Sequence, residues 1–483
     1  MKLTLTGIEN SVPWRAAGIQ MPTYDVPAAQ KKAVEAPKWV HFGIGNIFRV
    51  FIGGIADGLL EQGLLDRGLT CVETFDYDVV DKIYRPYDNL GLQVILNPDG
   101  SWLGYVAADI TGGPDKAVGA MGVLTAMLHE RFLAGGTPVA LVSMDNCAGN
   151  GKLLRESVLT MARAWKSGGF VEQAFLDWLE REENVAFDST MIDKITPRPS
   201  EEIARDLENM GIADMQPVVT GKRTYIAPFA NAERPQYLVI EDRFPNGRPA
   251  LEKGFGVYMG DFETVRKSER MKVTVCLNPA HTAVGPLGVV LGQERFADML
   301  RDLPVTMKMA RRVVFDEGMP VVPDPGILSP KTFADEVFER FQNLYLGDTN
   351  LRLATDASQG LSVRFGETIK SYVAKDGTAS ALVAIPLGIA GFFRYAMGLD
   401  DEGKPFELAP DPLVPEIHEA LRQVKLGCPG SYHGELRPYL SNESIFGIDL
   451  YKAGMGEKIE SYFAEMIAGP GAALRTIEKY IND

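Results

Sequence analysis

Cysteine, histidine and positive charge are all scarce in this chain. Its 483 residues include 4 cysteines and 5 histidines. Cys71, Cys147, Cys276 and Cys428 lie far apart with no C-x-x-C pair, which excludes a zinc ribbon and a dithiol redox centre. His41, His129, His281, His418 and His433 form no H-E-x-x-H or other close ligand pair, so chemistry without a metal is expected. Lys and Arg number 49 against 64 Asp and Glu, a formal net charge of −15. A nucleic-acid binder would show a basic stripe instead. A negatively charged small molecule would need a local cluster of cations to draw it in against that field. No apolar run in the sequence approaches the ~20 residues of a membrane span, and the N-terminal stretch has no apolar signal core. The expectation is a cytoplasmic protein with a small-molecule partner, without nucleic acid or membrane, as a monomer or small homo-oligomer.

A chain of this length exceeds one ordinary core, so two or three domains are expected. Residues 1–36, broken by Pro13, Pro22 and Pro27, read as an irregular surface arm. Residues 37–270 alternate short apolar runs with helical patterns, as a parallel α/β sheet does. Candidate strands are 39–42, 70–73, 94–96, 139–143, 218–219, 237–240 and 256–259. From 271 to 483 helical patterns dominate. The apolar stretch 379–396 holds Pro386 and Gly388 and reads as a buried, kinked core helix.

Three segments carry chemistry. Residues 37–51, P-K-W-V-H-F-G-I-G-N-I-F-R-V-F, read as strand, glycine turn and helix. Gly43 and Gly45 let the backbone approach a pyrophosphate, and the helix start at Asn46 and Ile47 offers free N–H groups and a positive dipole end. Phe48 stands where a third glycine is usual, and Arg49 follows. The plain alternative is an ordinary strand–turn–helix. Glu73 and Asp76 follow the apolar run G-L-T-C-V. An acid at the end of the second strand accepts hydrogen bonds from the adenosine ribose, so NAD is expected over NADP. A solvated strand-end carboxylate is the alternative.

The third segment, residues 271–285, is M-K-V-T-V-C-L-N-P-A-H-T-A-V-G, a strand or the start of a buried helix. A lysine in an apolar pocket, Lys272, can exchange a proton near neutral pH if its pKa falls. Asn278 and His281 at i and i+3 share a helix face and could hold one substrate oxygen. Alternatively Lys272 snorkels to water and Asn278 caps a helix ahead of Pro279. Elsewhere, Asp145, Asn146 and Asn150 form an Asx-rich turn, which could simply cap the following helix. Arg364 and Lys370 offer cations on a helix; an arginine fork binds a carboxylate through two parallel hydrogen bonds. An Arg364–Glu367 pair on a solvated face is the alternative.

In order along the chain stand H-F-G-I-G-N-I-F-R, V-E-T-F-D-Y-D, S-M-D-N-C-A-G-N-G, M-I-D-K-I-T-P, I-E-D-R-F-P-N-G-R-P and C-L-N-P-A-H. Together they resemble the long-chain polyol dehydrogenases, the family of mannitol dehydrogenases and hexuronate reductases. E-T-F-D-Y-D, R-F-G-E-T-I-K-S-Y and F-G-I-D-L-Y-K-A-G most resemble its fructuronate reductase branch. The resemblance implies an α/β fold: an N-terminal Rossmann-like NAD-binding domain over 37–270, then a mainly helical substrate domain over 271–483. It implies hydride transfer from NADH to the keto carbon of D-fructuronate, giving D-mannonate. Lys272 would be the general acid, Asn278 and Asn146 oxyanion partners, and His281 an orienting group. Gly43, Gly45, Asn46, Ile47, Phe48, Arg49, Glu73, Asp76 and Asp145 would bind the cofactor. Asn150, Asp193, Arg364 and Lys370 would bind substrate, while Lys194 would lie at the surface. Many members place the lysine five residues before the asparagine; here the gap is six, which a strand bulge would absorb. A mannitol 2-dehydrogenase or related sugar-alcohol oxidoreductase is the alternative activity.

Overall fold

The computed structural model describes residues 1–95, 109, 112–196, 198–233, 235–343 and 348–482. It divides into two compact units, Met1–Val265 and Arg266–Asp483, so the division falls a little ahead of residue 270.

The first unit is built on short parallel strand pairs. Val40–Phe42 pairs with Thr70–Val72, Leu92–Ile95 with Phe229–Ala232, and Val139–Val142 with Val185–Asp188. Tyr237–Glu241 pairs in parallel with Val257–Gly260 and antiparallel with Thr190–Asp193. Parallel neighbours need a crossover; Gly53–Glu61 lies in the first and Asn150–Ser167 in the third. Of the expected strand 94–96, Leu96 lies outside the described residues. Val218–Val219 belongs to a hairpin with Tyr225–Ile226. Val185–Asp188, Thr190–Asp193 and Phe229–Ala232 were not among the expected strands. Every residue in them is buried, so they lack the alternation that marks a half-exposed strand.

The N-terminal segment is not an irregular arm. It forms the helices Leu5–Glu9, Ser11–Ala16 and Val26–Glu35. Pro13 and Pro27 lie in first turns, where a missing N–H removes no intrahelical bond. Asp25 caps the third helix by accepting the Ala28 N–H at 2.9 Å. Leu3, Trp14 and Met21 share an apolar cluster with Leu207, Ile212 and Phe229. The segment is therefore core, which proline positions alone did not reveal.

The second unit is helical. By length and composition the helix Phe262–Val290 could cross a membrane, but 72% of its apolar window is buried. Ala384–Ala396 is buried along its whole length. A Cβ on Gly388 would stand 2.9 Å from the Ala283 Cα, so glycine is what lets this helix press against Asn278–Val290. The Glu317 carboxylate accepts the N–H groups of Val383, Ala384 and Ile385 at 2.7, 2.6 and 2.8 Å. That cap starts the helix two residues before Pro386. The proline therefore sits in a first turn and not at a mid-helix kink.

Candidate active site

In the first unit, Val40–Phe42 runs into Gly43, whose φ is +89°, a value that glycine alone adopts without strain. The Gly43 N–H donates to the Val72 carbonyl at 2.9 Å and ties the turn to the next strand. No atom lies within 4 Å of a Cβ added to Gly43 or Gly45. A helix begins at Asn46. Open space over a glycine turn at a helix N-terminus is the geometry that admits a pyrophosphate, so these residues fit a dinucleotide.

The neighbouring side chains are mostly committed to the fold. Phe48 is buried and stacks on His41 with ring centroids 4.7 Å apart. Any contact it makes with a cofactor is therefore through its backbone, a correction to the expectation. Burial lowers the His41 pKa to about 4, so this imidazole is neutral and structural. Arg49 donates to the Ala227 carbonyl and to Asn46 Oδ1, both at 2.6 Å; it braces the turn. Ile47 stays exposed. Glu73 Oε1 accepts the N–H groups of Phe75 and Asp76 at 2.6 and 3.0 Å. Asp76 is turned inward, buried, and accepts the hydroxyls of Thr220 and Thr224. Of the two acids expected at the ribose, only Glu73 is not buried.

The turn before Asn150–Ser167 is corrected in the same way. Asn150 is buried; its Nδ2 donates to the carbonyls of Asp145 and Thr190 at 2.7 and 3.0 Å, and its Oδ1 accepts the Thr190 N–H at 3.0 Å. Both donors and one of the two acceptor sites are taken and the residue is buried, so Asn150 braces the turn, a correction to the substrate contact expected of it. Asp145 Oδ1 accepts the Asn146 N–H at 2.9 Å, and both residues are exposed. Asp193, opposite Tyr237 in the ladder, is buried. Lys194, expected at the surface, is buried with its ammonium on the Glu233 carbonyl.

Sequence reasoning missed one charged cluster in this unit. Arg243 Nε lies 3.4 Å from Asp188 Oδ1 and 2.7 Å from Glu241 Oε1. Asp188 is fully buried, and burial, helped by Glu241 and opposed by Arg243, pushes its carboxyl up to about 7. The available signal was the I-E-D-R run, which places an acid and an arginine at the end of one strand.

In the second unit, residues 271–285 are helical except for a bend at Leu277. Between Lys272 and Cys276 the helix widens into a π turn, with the Leu277 N–H donating to the Lys272 carbonyl at 3.0 Å. A π turn takes in one residue more than an α turn and is often found at functional sites. It absorbs the extra residue between Lys272 and Asn278, the task expected of a strand bulge. Lys272 is buried in this turn beside Val275 and Cys276. Asn278 makes no cap; the cap residue is Leu277, with no side-chain bond. Instead Asn278 Oδ1 is buried with no hydrogen-bond partner among the described residues, which costs roughly 1–3 kcal/mol. The His281 ring is walled by Phe296 and Phe341, with centroids 5.0 and 4.6 Å away.

Arg364 ends the helix Ala357–Arg364 and donates from Nη1 to Thr282 Oγ1 at 3.0 Å. Thr282 is fully buried and adjoins His281 in sequence. A Cβ on Gly360 would stand 2.4 Å from Arg364 Nε, so the missing side chain makes room for the guanidinium. The Arg364–Glu367 pair does not form: Glu367 binds Arg270 at 2.6 Å and also holds Lys370. No carboxylate among the described residues pairs with Arg364. Lys370 shares the Glu367 carboxylate with Arg270, so of the two cations expected to bind a carboxylate only Arg364 has none beside it among the described residues. No group of three or more His, Cys, Asp or Glu that could hold a metal occurs among the described residues.

Comparison with known proteins agrees with both units. A mannitol dehydrogenase Rossmann domain matches residues 88–253, and a mannitol dehydrogenase C-terminal domain matches 264–466. The D-mannonate oxidoreductase of Thermotoga maritima is 43% identical, aligning 100% of this chain and 99% of that protein. The mannitol 2-dehydrogenase of Aspergillus fumigatus is 30% identical over 75% of this chain and 65% of that protein. The fold resembles Pseudomonas fluorescens mannitol 2-dehydrogenase, solved with NAD and D-mannitol, at a TM-score of 0.69 and 20% identity over 100% of both chains. It also resembles a D-sorbitol dehydrogenase, at 0.75 and 23% identity over 94% of this chain and 96% of that one. The protein is thus an α/β oxidoreductase acting on CH–OH groups. It belongs to the mannitol dehydrogenase family.

Proposed function

We propose that the protein interconverts D-fructuronate and D-mannonate with NAD as cofactor. The observation that carries this reading is Arg364, a half-buried guanidinium held by Thr282 and left without a carboxylate among the described residues. A uronate brings that carboxylate, and the arginine fork takes it through two parallel charge-assisted bonds. A neutral polyol has nothing to offer there. The name of the Thermotoga maritima relative points the same way, since D-mannonate is the reduced partner of D-fructuronate. Glu73 favours NAD, because a carboxylate at the ribose repels a 2′-phosphate.

Bound NADH supplies the hydride. Lys272 donates the proton to the developing alkoxide oxygen and withdraws it in the oxidation direction. Asn278 holds that oxygen, and hydrogen bonds aimed at developing charge are worth most in a water-poor site. The unpartnered Asn278 Oδ1 accepts a substrate hydroxyl, and His281 orients the others.

NADH oxidation over fructuronate, tagaturonate, fructose and xylulose tests the assignment; fructuronate should be preferred, and a preference for fructose would make the protein a polyol dehydrogenase. Arg364→Ala should raise the KM for fructuronate about tenfold to a hundredfold, the equivalent of roughly 1.5–3 kcal/mol, and spare fructose. Thr282→Val should move it in the same direction by less. Equal damage on both ketoses would make Arg364 a folding residue.

A further inference from the structure

On the second unit, Lys308, Arg311 and Arg312 converge with Phe315, Asp316 and Ile481 around a pocket of about 410 Å³. We propose that this pocket binds a small anion of the phosphate-ester class, carrying at least two negative charges. It involves none of the residues assigned above to cofactor or substrate.

The cations stand at i, i+3 and i+4 as Pro304–Arg311 passes into the π turn Arg312–Gly318. Like charges at this spacing share a helix face and repel. In a chain with a net charge of −15, a carboxylate beside each would be easy to supply, yet the neighbours are mostly neutral. Lys308 donates to Asn482 Oδ1 at 2.8 Å, and Arg312 donates from Nη1 to the Tyr480 carbonyl at 2.9 Å. These contacts position the two side chains without cancelling their charge. The carboxylate nearest Arg312 is Glu317, 4.0 Å from Nε, and Glu317 already caps the helix Ala384–Ala396.

Arg311 is the most telling of the three. Its guanidinium carbon lies 4.6 Å from the Phe315 ring centre and 5.0 Å from that of Phe338. The two rings orient the guanidinium through cation–π attraction. They use none of its N–H donors, and no carboxylate among the described residues pairs with it. A pre-oriented fork with open donors, flanked by two more cations, suits a phosphate dianion. Phe315 and Ile481 offer apolar wall to the carbon skeleton of an ester. Asp316 sets a limit, since it disfavours anions that fill the whole pocket with charge.

The test is isothermal titration of the full chain with inorganic phosphate and with glycerol 3-phosphate, in chloride buffer at fixed ionic strength. Saturable binding is expected for both, tighter for the ester. Arg311→Ala should weaken it at least tenfold, Arg311→Lys by less, and turnover should be unchanged in both variants, which also shows that they fold. Absence of saturable binding would overturn the proposal, as would binding that Arg311→Ala leaves untouched.

Discussion

The turn at Gly43 and the helix around Lys272 handle their polar groups in opposite ways. In the first unit the polar side chains near the turn are mostly engaged within the fold: Arg49 on Ala227, with only its buried Nε left over, Asp76 on Thr220 and Thr224, Asn150 on Thr190. What remains for a ligand, beside the Glu73 carboxylate, is backbone and open space over two glycines. In the second unit, among the described residues, Asn278 keeps a buried oxygen without a partner and Arg364 keeps its charge without a counter-ion. Such groups destabilise a fold unless a ligand meets them. The difference teaches that a shared cofactor can be held by shape and main chain, whereas a particular substrate is selected by side chains held ready at some cost in stability.

The largest effect should come from Lys272. Lys272→Ala should lower turnover by ~10²–10⁴-fold, the usual worth of a positioned proton donor, while fluorescence titration shows NADH binding nearly unchanged. If the variant keeps more than about a tenth of wild-type turnover, the lysine is structural.

Asn278 and Asn150 form the sharpest contrast. Asn278→Ala should cost roughly 10²–10³-fold in kcat, as loss of an oxyanion donor does, with no loss of stability in urea, because it removes an unsatisfied group. Asn150→Ala should do the reverse. Leaving the buried Thr190 N–H unpaired should cost about 1–3 kcal/mol of stability, with KM for fructuronate nearly unchanged. Matching phenotypes for the two variants would erase the distinction between the units.

A further contrast concerns pH. Burial holds the Asp188 carboxyl at about 7 in the fold, above the ~3.9 of an unfolded chain. A folded pKa above the unfolded one gives stability that is fully present below pH ~4 and is lost as pH rises toward 7. Asp188→Asn removes that titration. Its stability relative to wild type should therefore climb between pH 4 and 7 and level off above, which urea unfolding at stepped pH would measure. A difference independent of pH would place the proton elsewhere.

Much of the site was legible in local sequence because its signals are local. The strand–glycine turn–helix at residues 40–61 needs only a short apolar run, a positive φ that glycine supplies and a helix start. The helical second unit followed from apolar spacing. The strands from 185 to 193 were not visible, because burial on both faces removes the pattern that betrays a strand. The N-terminal helices were hidden by prolines that proved to sit in first turns.

Sequence by itself determined where chemistry-bearing residue types stand, and it exposed the one-residue excess between Lys272 and Asn278. Only the tertiary structure decided that a π turn takes up that excess, and which polar groups are consumed and which are left over. The reason is that hydrogen-bond partners are chosen across space. Asn150 is claimed by Thr190 across 40 positions, Asp76 by Thr220 across 144, and Arg364 by Thr282 across 82. No local pattern carries that information, because each pairing exists only once the chain has brought its distant segments together and excluded water from between them.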